Sequence, residues 1–270
     1  MKHLLLLSVA SLVVLIGRSQ SLDTLALKSG DQLVQPSDSM LSADTLPVSH
    51  LITFSYAYQL PGADMASRFR NNSSVGGGYY YKTKHNVLLG AEAHFIFGGK
   101  PKEVSMLDSI RIGKTSDGNI IDANGQYADV RLYERGYDLS VKMGKVFKLA
   151  SANANSGFFI TAGAGFLQHK IRIESIGNRA PQLTKEYRAG YDRMANGLMI
   201  SENLGYFYMG DNKMTNFYLA LEMMQGFTKG RRYNFDTMKL DDSSRLDLLF
   251  GLRLGWMIPV QSRQADEFYY

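Results

Sequence analysis

Beyond an N-terminal apolar run, the chain carries four histidines, His50, His85, His94 and His169, and no cysteine anywhere. Chemistry therefore falls to these imidazoles, to hydroxyls and to carboxylates. Zero cysteines exclude thiolate metal sites, disulfides and cysteine nucleophiles. The histidine spacings match no metal-ligand pattern, so no metal or other cofactor is expected. His94 lies two residues after Glu92, and His169 reads as lying towards an external loop beside Lys170 and Arg172. Catalysis by either would need a hydroxyl nucleophile on one side of the ring and an orienting acid on the other, an arrangement that only the fold can assemble.

A second candidate is the stretch DSIRIGKTSDG, where Gly113, Lys114 and Thr115 resemble the end of a phosphate loop. The motif needs a glycine five residues before Gly113, where Asp108 stands, and no strand-loop-helix context surrounds it. Nucleotide binding is not expected.

The elements that hold these residues are strands. Period-two alternation marks eight of them, near 50–60, 73–82, 86–97, 129–147, 156–173, 195–209, 214–228 and 244–258. The last, RLDLLFGLRLGW, puts Leu246, Leu248, Phe250, Leu252, Leu254 and Trp256 on one face and Asp247, Gly251, Arg253 and Gly255 on the other. The third sets Val87, Leu89, Ala91, Ala93, Phe95 and Phe97 against Gly90, Glu92 and His94; the fourth sets Tyr137, Leu139, Val141 and Met143 against Glu134, Asp138 and Lys142. The seventh opposes Phe217, Leu219, Leu221, Met223 and Phe227 to Ala220 and Glu222. The first, second and sixth alternate less cleanly, and Glu202 fits neither phase.

Most of these strands reach the 9 to 11 residues or so that cross a bilayer at a barrel's tilt. The connections alternate: after the odd-numbered strands they run to about 12, 30, 20 and 15 residues, and after the even-numbered ones to about 5, 8 and 6. Long loops at one end and short turns at the other are the signature of a transmembrane barrel. A soluble sandwich has no reason to produce it. The expected fold is therefore all-β, an eight-stranded antiparallel up-and-down transmembrane β-barrel with long extracellular loops. Its large residues face lipid, and its interior carries a polar network of Glu92, His94, Glu134, Asp138, Lys142, Glu222, Asp247 and Arg253. Eight strands enclose a bore just wide enough to be filled by side chains. A plugged barrel is expected rather than a pore.

The ends of the chain give the itinerary. Lys2 followed by an apolar run from Leu4 to Ile16 reads as a signal peptide over residues 1–19, too short to span a membrane as a helix. Residues 20–50, rich in Ser, Asp, Leu and Thr, read as a flexible periplasmic arm. Residues 51–258 form the barrel, and residues 259–270 a periplasmic tail whose Phe268, Tyr269 and Tyr270 suit either binding to another protein or folding back under the barrel. The formal net charge of +5 falls to about +3 once Lys2 and Arg18 are removed, too little to argue for nucleic acid. In the second long loop, DANG from Asp122 to Gly125 reads as a hairpin turn.

The wording of the chain carries a resemblance as well. LPGADMASRF, SSVGGGYYYKTK, DGNIIDANGQYADVRLYERGYDLSVKMGK, GAGFLQHKIRIE, APQLTKEYRAGYDR and the closing EFYY together resemble a family of outer-membrane barrel proteins of the Bacteroidota, over roughly Leu51 to Tyr270. The resemblance brings no catalytic signature. It implies an outer-membrane location and a non-enzymatic accessory role in an envelope machine, either outer-membrane protein assembly, which is preferred, or type IX secretion. The implied partners are other outer-membrane proteins or lipoproteins and the lipid bilayer. The alternatives are a lipid-modifying barrel enzyme, working through His94 or His169, and a narrow diffusion pore.

Overall fold

The computed structural model describes residues 49–115, 118–148, 156–178, 180–210 and 216–260. The expected signal peptide, nearly all of the N-terminal arm and tail residues 261–270 lie outside these.

Among the described residues twelve strands follow in order: β1 (Ser49–Gly62), β2 (Asn72–Lys82), β3 (Val87–Gly98), β4 (Ile120–Ile121), β5 (Tyr127–Ala128), β6 (Val130–Lys148), β7 (Gly157–Ser175), β8 (Ala195–Met209), β9 (Asn216–Gly230), β10 (Tyr233–Asn234), β11 (Lys239–Leu240) and β12 (Ser244–Val260). Eight of them close into a ring in the order β1-β12-β9-β8-β7-β6-β3-β2, every pair antiparallel. Each barrel strand thus pairs with its neighbour in sequence, and β12 returns to β1 with His50 opposite Val260 and Gly62 opposite Leu248. Closure leaves no unpaired edge, which is the condition for a sheet to cross lipid.

The alternation read from the sequence sets which face is which. Leu198, Val141 and Leu221 are 73%, 66% and 64% exposed on the outer face, with Phe54, Tyr58, Leu139, Leu204, Phe250, Leu252 and Leu254 around them. An apolar belt encircling the ring has no place in water, where contiguous apolar patches rarely exceed a few hundred Å². It is the lipid-facing surface of a transmembrane barrel. Among the described residues no helix is long and apolar enough to cross a membrane, so the crossing is made by strands.

The three strands with weak alternation obey the same rule. In β1, Ile52, Phe54, Tyr56, Tyr58 and Leu60 point out while Leu51, Thr53, Ser55, Ala57 and Gln59 point in; an inner face mixing apolar and polar residues hides the pattern. In β2 the run Tyr79, Tyr80, Tyr81 alternates too, with only Tyr80 buried. Glu202 of β8, which fits neither phase of the alternation, faces outwards, opposite Ala162 and Met223.

Boundaries shift slightly at the ends. β1 begins at Ser49, inside the segment assigned to the arm, and β12 runs on to Val260, because Pro259 and Val260 pair with Leu51 and His50. The long connections are residues 63–71, 99–129, 176–194 and 231–243; the short connections at the other end are 83–86, 149–156 and 210–215. The first long connection opens with a helix, Ala63–Arg68, that the sequence pattern did not reveal. The DANG turn does join a hairpin, β4 to β5: Asp122 Oδ1 accepts from the N–H groups of Asn124 and Gln126 at 2.8 Å, and Gly125 supplies φ of 76°.

Candidate functional site

The bore is filled in three layers. At the short-turn end lies an apolar cluster of Leu51, Tyr80, Leu88, Val146, Phe159, Phe207, Tyr218 and Met257. It leaves a cavity of about 20 Å³, room for roughly one water. At the long-loop end a second cluster joins barrel residues such as Ile96, Leu167, Ile171, Met199 and Leu249 to loop residues Met65, Phe69, Met106, Leu107, Leu183 and Tyr191.

Between them sits the charged layer. All eight residues expected there are buried: Glu92, His94, Glu134, Asp138, Lys142, Glu222, Asp247 and Arg253 are each at most 4% exposed. Arg253 meets Glu222 with Nε to Oε1 and Nη2 to Oε2 both at 2.9 Å, and its Nη1 donates to Ser55 Oγ at 2.8 Å. Lys142 Nζ lies 2.6 Å from Glu92 Oε2, and Tyr80 donates to Glu92 Oε1 at 2.7 Å. His94 faces Asp138 Oδ1 through Nδ1 at 3.0 Å and Ser55 Oγ through Nε2 at 3.2 Å. Glu134 accepts from Asn72 at 2.7 Å. Nearer the loops, Asp247 Oδ2 is shared by His169 Nε2 at 2.7 Å and Thr228 Oγ1 at 2.5 Å.

Charges buried this deeply survive only as closely paired, hydrogen-bonded groups. The structure brings Arg253 to Glu222, Lys142 to Glu92 and His94 to Asp138; Glu134 and Asp247 belong to separate hydrogen-bonded groups. Glycines make room for the long side chains. A Cβ on Gly76 would stand 2.7 Å from His94 Cδ2, and one on Gly78 would stand 2.7 Å from Glu92 Cγ. These two β2 glycines face His94 and Glu92 across the ladder.

His169 lies towards the loop end of β7, as expected, but its side chain points into the barrel and is fully buried, with Phe69 of the first loop edge-on to its ring at 5.4 Å. Lys170 and Arg172 stand one and three residues further along β7, so the strand period turns both cations out while the imidazole turns in. The neutral partners Ser55, Gln59, Asn72, Ser74, Tyr80 and Thr228 were also not read from sequence, since a lone hydroxyl or amide on a mixed inner face gives no signal.

Ser55, His94 and Asp138 stand in the order that a serine hydrolase uses. Here the Ser55 hydroxyl also accepts from Arg253, all three side chains are buried, and the 20 Å³ cavity is lined by none of them. Thr228 touches the carboxylate of Asp247 and so lacks the base-to-nucleophile contact that activation requires. Among the described residues no group of three or more His, Asp and Glu side chains is arranged to hold a metal ion.

Above the barrel the four long loops are tied together. Glu103 of the second loop receives Arg68 of the first at 3.4 Å and Arg193 of the third at 3.2 Å. Arg193 also pairs with Asp236 of the fourth loop, and Arg232 of the fourth with Asp192 of the third at 3.5 Å. Asp241 of the fourth loop meets Arg245 at 2.6 Å and Arg68 at 3.9 Å. Partial burial by itself would raise the Asp241 carboxyl, but the Ser243 hydrogen bond and the Arg245 charge outweigh it and hold the group below its ordinary value. Asp192 goes the other way: burial raises it, with Arg232 opposing.

Comparison with known proteins gives only distant likenesses. No protein-family model matches the chain, and no curated protein matches it. Among solved structures the chain is similar to the attachment invasion locus protein Ail of Yersinia pestis, at 13% identity over 79% of this chain and 100% of that one, with a TM-score of 0.40. It is also similar to Neisserial surface protein A, at 9% identity over 77% and 96% with a TM-score of 0.40. The N-terminal barrel domain of Pseudomonas aeruginosa OprF is a third, at 12% identity over 78% and 100% with a TM-score of 0.35.

Proposed function

We propose that this is a non-enzymatic outer-membrane barrel that serves as an accessory subunit of an envelope complex, presenting its folded loop cap to a partner protein outside the cell. The observation that carries the reading is the cap: four loops share one apolar core and one set of ion pairs above a filled bore. Ordering long loops costs conformational entropy, roughly 1–2 kcal/mol per residue for the backbone alone, and ordered long loops are usually functional. Ile112, Tyr127, Tyr187, Met238 and Leu240 remain exposed on these loops, an apolar surface of the kind partners cover.

The outer membrane is supported by the closed barrel with its apolar belt, since closed sheets of this kind span that membrane. The Bacteroidota wording of the chain favours an outer-membrane protein assembly complex over the type IX secretion apparatus as the host machine. The arm and tail, with Phe268, Tyr269 and Tyr270, supply a second contact on the periplasmic side.

A tagged chain at native level, pulled from outer membranes in mild detergent, should recover a large barrel protein and its lipoproteins in stoichiometric amount. Recovery of this barrel alone would sink the subunit reading. The Ser55-His94-Asp138 order favours one second reading, a lipid-modifying enzyme. Labelling of the folded protein by a fluorophosphonate at Ser55 would revive it; the occupied hydroxyl and the lack of an adjoining cavity predict none.

A further inference from the structure

We propose that the outer face of β6 and β7 binds the phosphorylated headgroup of an outer-leaflet glycolipid, with the acyl chains of the same molecule lying in the apolar groove beneath. The proposal rests on the outer-membrane placement given above.

The geometry is a ladder read down two paired strands. Tyr133 faces Arg172, Arg135 faces Lys170, Tyr137 faces Gln168, Leu139 faces Phe166, Val141 faces Ala164 and Met143 faces Ala162. All of these point away from the bore. The outer surface therefore changes within a few residues from purely apolar, through an amphipathic Tyr and Gln pair, to the Arg135 and Lys170 pair and then Arg172 beside Tyr133. Such a sequence of chemistries marks the passage from hydrocarbon to headgroup.

Loops enlarge the cation row into a cleft of about 510 Å³ in which Arg135, Lys170 and Arg172 are joined by Lys185 and Arg188 of the third loop and Arg232 of the fourth. The carboxylates nearby are Asp192, which meets Arg232 at 3.5 Å, Glu174, which meets Arg172 at 3.2 Å, and Glu186 on the helix Lys185–Arg188. Six cations against three acids leave an excess that suits a group carrying more than one negative charge, and arginine forks suit phosphate oxygens.

Directly below, Leu139, Val141, Ala164, Phe166, Leu198 and Ile200 line an open groove whose exposed wall is almost wholly apolar. Ala91 and Ala164 keep its floor low beside the larger side chains. Leu139, Val141, Ala164 and Phe166 continue the strands that carry Arg135 and Lys170, so one amphiphile can occupy both. A soluble anion would use the cleft and ignore the groove. A phosphate-free lipid would do the reverse.

The test uses the purified full-length barrel in detergent micelles, with retention of added lipid read by native mass spectrometry. Bisphosphorylated lipid A should be retained, its phosphate-free derivative should not, and inorganic phosphate should fail to displace it at equal concentration. The triple variant Arg135→Gln, Lys170→Gln, Lys185→Gln should weaken retention roughly a hundredfold, because each cation near an anionic surface contributes about fivefold. Lys145→Gln, on β6 towards the short-turn end, should leave it unchanged. Equal retention of the phosphate-free lipid, equal retention by the triple variant, or displacement by phosphate alone would each overturn the proposal. Heat-dependent mobility on gels reports independently that every variant still forms the barrel, and membrane fractionation reports on the placement. A folded outer-membrane protein that ignores lipid A overturns the headgroup site only, whereas a chain found elsewhere overturns the placement.

Discussion

Arg253 of β12 and Glu222 of β9 meet in the middle of the bore through two bonds of 2.9 Å, with neither side chain more than 1% exposed. The pair stands between Ser55 and Ser74 of strands on one side and Gln59 beside Glu222, so strands β1, β2, β9 and β12 share one polar knot. It joins the two ends of the closing seam through side chains as well as through the β1 to β12 ladder.

Breaking that knot from one side strands a buried charge. Arg253→Ala should destabilise the folded barrel by about 3–5 kcal/mol, whereas the double variant Arg253→Met, Glu222→Met should cost far less. Urea unfolding in micelles, followed by loss of the heat-dependent gel shift, separates the two. Equal losses would show that the pair's charge is not what matters.

Gly255 carries a steric prediction. Its Cβ would come 2.1 Å from the Tyr218 ring, which lies across it inside the barrel. Gly255→Ala should therefore destabilise by about 1–3 kcal/mol through overpacking. Adding Tyr218→Leu should recover part of the loss if the clash is the cause, and none if the glycine serves backbone geometry alone.

The loop cap should respond to acid through Asp241. A carboxyl held below its ordinary value of 3.8 contributes stability above that value and loses it as pH falls through the lower folded value. Cap resistance to proteolysis, read with a protease active at each pH, should thus exceed that of Asp241→Asn at pH 7, with the difference vanishing well below pH 4. Asp192 has the opposite sign, because its raised value favours the folded state most at low pH and that advantage fades as pH rises. A wild-type cap no more resistant than Asp241→Asn at pH 7 would remove Asp241 from the network.

A filled bore should not conduct. Protein reconstituted in planar bilayers should show no porin-like steps, because apolar layers lie above and below the charged one. Steady single-channel conductance in the wild type would contradict the packing.

By itself the sequence determined the eight strands, their order, which face meets lipid and which end carries the long loops. Those follow from period two and from connection length, both local properties of the chain. It also placed Glu92, His94, Asp138, Lys142, Glu222, Asp247 and Arg253 on inner faces, since a charge that alternates with leucines across a membrane has only one side to occupy. Pairing was decided by the tertiary structure alone. Whether Arg253 meets Glu222 or Glu92 depends on the register of β12 against β9, and Ser55, which enters that knot from 198 residues away in sequence, depends on barrel closure. The same holds for His169, whose contacts with Asp247 and Phe69 join β7 to β12 and to the first loop, and for the loop cap, whose ion pairs join residues from four connections. Long-range contacts of this kind leave no periodic trace in any one segment, and the basic cleft on β6 and β7 appears only when two loops fold down beside two strands.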